Sequence, residues 1–100
     1  MKFFFEAWKK ERYVNSDGAI IDFGYSTTFT VDGVPFTALM EFATKVIFVF
    51  SERDAVAMIP NEYPSGGTEF AEAFIKNHFA SAFHLVELIQ SKKKLMEETQ

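Results

Sequence analysis

Residues 19–42 constrain the fold of this chain more than any other stretch. In AIIDFGYSTTFTV, Ala19, Ile21, Phe23, Tyr25, Phe29 and Val31 fall on one parity, and Asp22, Ser26, Thr28 and Thr30 on the other. A period of two marks a strand with one buried face and one wet face. Asp32-Gly33 follows, a pair that accepts the positive φ of a two-residue hairpin turn. The alternation resumes through Val34, Phe36, Ala38, Met40 and Phe42. Gly24 predicts a bulge or bend inside the first strand. Pro35 cannot donate to a ladder, which puts the start of the second strand at an edge or a bulge.

Two further runs, VIFVF (46–50) and AVAMI (55–59), are apolar on both parities and flank the polar turn SERD. They predict a hairpin with both faces covered. At the N-terminus Phe3, Phe5 and Ala7 alternate as in a strand, while Phe4 and Trp8 lie four apart as on a helix. The expectation adopted is a strand over 2–8. From Thr68 the pattern is helical: Thr68 suits an N-cap, Glu69 and Glu72 suit the positive end of the dipole, and Lys92–Lys94 suit the other end. With 100 residues there is room for one hydrophobic core. The reading is therefore a single α+β domain over 1–100. A bent antiparallel meander of about four to five strands lies within 2–59, followed by a loop at 60–67. One long C-terminal helix over about 68–92 caps the sheet and leads into a charged tail at 93–100.

On that one helix, at ~100° per residue, the large apolar residues sweep an arc roughly twice the ~100° needed to pack on one surface. Either the sheet curls round the helix, or a flank with Phe79 and Phe83 meets a second body. The N-terminal aromatics Phe3, Phe4, Phe5 and Trp8 are candidates to cover the other face of the sheet, as are a dimer mate or a partner protein. His78 and His84 are six apart and point in different directions on the same wheel. They therefore lack the i, i+4 spacing of a helical metal pair. His78 reads as a buried or half-buried imidazole and His84 as exposed; catalysis through His78 is the lesser alternative.

The stretch FTALMEFATKVIFVFSERDAVAMIPNEYPSGGTEFAEAFI, residues 36–75, resembles the end of bacterial PH-like domains of the YcxB type. There a strand pair with a basic residue in its turn leads into Ile-Pro, a short loop and a helix. The resemblance implies a strongly bent sheet capped by a helix. Asn61 stands where a basic residue is usual, and no functional residue transfers.

Chemistry-bearing motifs are absent from the sequence. SGG at 65–67 precedes a helix but lacks the lysine of a phosphate loop, and Glu69 and Glu72 would repel phosphate. There is no cysteine and no GxSxG. The reading predicts no catalytic residue, no cofactor and no metal. Charge is more informative. Residues 1–12 carry a balance of +2 and residues 92–100 of +1, so 13–91 hold ten acidic against three basic groups. Such a body repels nucleic acid and attracts a cationic partner. The longest uncharged apolar run, Val46–Phe50, is too short to span a bilayer, and a cytoplasmic, membrane-free protein is expected. The functional expectation is a non-catalytic protein-binding domain, a small acidic inhibitor or immunity-type protein that occludes a basic partner such as a toxin. The predicted contacts are Glu52, Asp54, Glu62, Glu69, Glu72, Phe79 and Phe83. The alternative is a homo-oligomeric scaffold whose apolar surplus, including several of thirteen phenylalanines, pairs with itself.

Overall fold

A computed structural model describes residues 1–61 and 67–98. Six strands form one antiparallel sheet: β1 (Phe3–Phe5), β2 (Lys9–Val14), β3 (Ile20–Val31), β4 (Val34–Glu41), β5 (Val46–Ser51) and β6 (Asp54–Pro60). Both β1 and β2 pair with β3, and β4, β5 and β6 follow in order. Two helices come next, α1 (Thr68–Ser81) and α2 (Phe83–Glu98). The α+β class agrees with the sequence; the strand count and the single helix do not.

The central hairpin forms as its alternation dictates. Asp32 and Gly33 have φ of 51° and 85°, the left-handed pair of a tight hairpin turn. Val31, Val34, Phe36, Ala38 and Met40 are buried on one face. The irregularity predicted at Gly24 lies where β2 shifts register, between Glu11↔Gly24 and Arg12↔Asp22. A Cβ on Gly24 would stand 2.2 Å from the Met40 carbonyl oxygen, so β3 and β4 need a glycine there.

The expected strand over 2–8 is the short β1, and β2 was hidden. Its sequence KKERYV is largely charged and lies at a sheet edge, so no apolar alternation announces it. Phe3 and Phe5, two of the candidates to cover the outer face of the sheet, do not do so. They turn inward, where Phe5 stacks on Phe29 at 4.9 Å and Phe3 meets Phe79 edge-on at 5.8 Å.

The long helix breaks at Ala82, whose backbone is extended (φ −95°, ψ 102°). Its N–H still bonds the His78 carbonyl, and its own carbonyl accepts from Leu85 N–H. One helix therefore ends and the next begins on a single residue. The reason is packing. Phe79 and Leu85 are six apart, which is ~240° on a continuous helix, yet both are fully buried on the same sheet face. Only a break brings them to one side. The arc that seemed too wide for one helix is two narrower arcs. The cap also differs from expectation: Gly67, with φ 89°, precedes the first helical residue Thr68, and no side chain caps the end.

Candidate functional site

Of the seven predicted contact residues, Phe79 leaves the set. It is 0% exposed, and its ring is closed in by Phe3, Phe29 and Phe36, so it cannot touch a partner. Phe83, just past the break, is 74% exposed. Glu52 projects from the β5–β6 turn but pairs with Lys92 Nζ at 3.1 Å, and Asp54 beside it is exposed. Glu69 is exposed in the first turn of α1. Glu72 is half-buried and accepts from Trp8 Nε1 at 2.7 Å. Trp8 lies between β1 and β2, at the sheet edge opposite β6. Glu62 lies outside the described residues. The four described carboxylates, Glu52, Asp54, Glu69 and Glu72, divide between the β5–β6 turn and the start of α1.

The histidines show the reverse change. Their burial is as expected, His78 half-buried and His84 exposed. Their directions are not, because the break at Ala82 rotates α2. Both line one shallow groove with Ala55, Val56, Ala57 and Met58. His84 Nε2 donates to the Val56 carbonyl at 3.1 Å, which ties α2 to the outer edge of β6. Neither histidine stands in a group able to hold a metal among the described residues.

The uncovered apolar surface lies not at Phe79 but on the sheet face turned away from the helices, the second face that the doubly apolar strands announced. Leu39, Phe48 and Met58 are direct cross-strand neighbours on β4, β5 and β6. Phe50 stacks on Phe48 at 6.5 Å. No described residue covers this row: Met58 is 63% exposed, and Phe48 and Phe50 are half-exposed. The doubly apolar pattern of 46–50 and 55–59 correctly marked two apolar faces. Of the candidates to cover the second face, no described residue of the chain does so.

Carboxylates border the row. Glu41 lies on the same face of β4, opposite Val46. Glu6 and Glu11 reach the same face, where they accept hydrogen bonds from the Thr28 and Ser26 hydroxyls. Those hydroxyls fix the carboxylates in place without neutralising them. A second cleft, of about 390 Å³, is lined by Val34, Pro35, Ser51, Leu95 and Met96, with the Glu52–Lys92 pair at its wall. No described helix is long and apolar enough to cross a membrane. No family model, curated protein or solved structure matches the chain.

Proposed function

We propose that this chain is a non-catalytic protein-binding domain that docks its partner on the open face of the sheet. The observation that supports this reading is the uncovered row Leu39–Phe48–Met58 with Phe50 beside it. An apolar centre with a polar rim is the usual anatomy of a specific interface, and aromatic side chains supply most of the energy at such centres. The rim carboxylates Glu6, Glu11 and Glu41 select a partner with apolar side chains surrounded by Lys or Arg. A small acidic inhibitor or immunity-type protein meets that description, with its contacts moved from the turn tips to the sheet face.

The test is a paired capture and kinetic measurement. Immobilised wild-type protein and the Phe48→Ser/Phe50→Ser variant are exposed to host extract, and the retained protein is then purified and its binding rates measured. The expected result is a partner lost by at least about a hundredfold in affinity in the double variant, with an association rate that falls as salt rises. A partner bound equally by both proteins would sink the proposal.

A further inference from the structure

We infer that the cleft between the end of α2 and the two hairpin turns beside it binds a small monocarboxylate with an apolar tail, its head held by Lys92 and Ser51. The cleft, of about 390 Å³, is lined by Val34, Pro35, Leu95 and Met96 around Ser51 and the Glu52–Lys92 pair. An apolar recess with a few convergent polar groups is the usual form of a small-ligand site. Its volume lies near the lower end of the ~300–1,000 Å³ that such sites span, which suits a short tail.

Ser51 is the residue that core packing alone does not account for. It shares the helix-side parity of β5 with Ile47 and Val49, and like them it is buried. A hydroxyl at that depth is costly unless it is hydrogen-bonded. Yet the Ser51 hydroxyl enters no hydrogen bond among the described residues. None of their buried side-chain polar atoms is both sealed off and unpaired, so this hydroxyl keeps an open side. That side is the cleft, which Ser51 lines.

Lys92 supplies the charge. Its side chain is 30% exposed, against 78% for its partner Glu52 on the β5–β6 turn. An ammonium group only donates hydrogen bonds, so a head that satisfies both Lys92 and Ser51 is an acceptor, and best a negative one. The chain itself displays that head: a Glu52 carboxylate oxygen lies 3.1 Å from Lys92 Nζ. A ligand carboxylate takes the place of that oxygen while Glu52 turns out to solvent, so the charge balance at Lys92 is unchanged. An ion pair with so exposed a member is weak and opposes the exchange little. The tail meanwhile covers Leu95 and Met96, which are 57% and 43% exposed, and that burial favours binding. An amine head would be repelled by Lys92, and an alcohol head would not displace Glu52. The site lies on the helix side of the sheet, goes beyond the docking reading and does not depend on it.

Titration of isotope-labelled protein with octanoate, octanol and octylamine, followed by two-dimensional NMR, tests the assignment. Octanoate should bind with a dissociation constant of about 1 mM or tighter and shift the backbone amides of Val34, Ser51, Glu52, Lys92 and Leu95. Octanol and octylamine should bind at least about tenfold more weakly. Glu52→Gln removes the competing carboxylate, so it should tighten octanoate about threefold and leave octanol unchanged. Lys92→Gln should weaken octanoate to the level of octanol. Phe48→Ser/Phe50→Ser should bind octanoate as wild type does, which separates this site from partner docking. The inference is overturned if octanoate gives no saturable shift up to about 10 mM, or binds no better than octanol. It is overturned equally if Glu52→Gln fails to tighten octanoate, if Lys92→Gln leaves its affinity unchanged, or if the Phe48→Ser/Phe50→Ser variant loses it.

Discussion

Phe79 and Phe83 look equivalent in the sequence, and the break at Ala82 predicts that they are not. Truncating Phe79 to Ala removes a ring that is 0% exposed and that meets Phe36, Phe3 and Phe29 edge-on at 5.3, 5.8 and 5.9 Å. Burial loss and the cavity left behind cost about 3–5 kcal/mol for such a change. The three ring contacts, each worth ~0.5–1.5 kcal/mol beyond area, put this site at the upper end. A domain of this size has about 5–15 kcal/mol in total and loses ~4–8 °C of Tm per kcal/mol. Phe79→Ala should therefore melt at least about 12 °C lower. Phe83→Ala, in contrast, removes a ring that is 74% exposed and should change stability by no more than about 0.5 kcal/mol. Urea and thermal unfolding of both variants, followed by far-ultraviolet circular dichroism, measure the difference. On a continuous helix the two residues share a flank and their costs would converge. A Phe83→Ala cost above about 1.5 kcal/mol, or a Phe79→Ala cost below it, would refute the packing described.

Gly24→Ala forces a Cβ to within 2.2 Å of a backbone oxygen and should destabilise by about 1–3 kcal/mol through strand displacement; an unchanged urea midpoint would contradict that close approach. Trp8→Phe removes the hydrogen bond to Glu72 and strands a half-buried carboxylate, at a cost of about 1–2 kcal/mol. Glu52→Gln removes an ion pair whose carboxylate side chain is 78% exposed, and it should cost under about 0.5 kcal/mol. The same unfolding series measures both, and reversal of their order would contradict the burial assigned to Glu72.

Where one side of an element is buried and the other wet, the sequence is easily read. The hairpin of residues 20–41 follows from its period of two and from Asp32-Gly33, and the register shift beside Gly24 follows from a glycine inside a strand. The helix break was not legible because Ala82 is neither Gly nor Pro and apolar residues run through it. The local trace is Ser81, whose hydroxyl contacts the Asn77 and His78 carbonyls and competes with the helical ladder. It is too common a residue to signal an end. What covers the second face is left open for a related reason. Residues apolar on both parities imply two apolar faces, but sequence does not say who covers the second. The groove with both histidines depends on the break, so a continuous helical wheel could not place it.

The segregation of charge along the chain takes on a different meaning once folded. The basic ends return to the acidic middle: Lys92 pairs with Glu52, Lys93 lies 4.0 Å from Asp32, and Arg12 holds Asp22 at 2.8 Å. Three turn and edge carboxylates that made the middle so acidic are thus partly compensated by the chain's own cations, at little gain in stability for exposed pairs. Among the described residues Glu6, Glu11 and Glu41 form no such ion pair, and they border the apolar row. Self-compensation weakens the acidic field at two of the turn tips and leaves the carboxylates of the open face without an ion pair among the described residues. Exposed aromatics beside an uncharged strand edge are an aggregation hazard in a domain of this size. Acidic residues around the row limit indiscriminate association, and Pro60 at the end of β6 disfavours strand addition at the edge. The same carboxylates that keep copies from stacking face to face would draw a basic partner to that face.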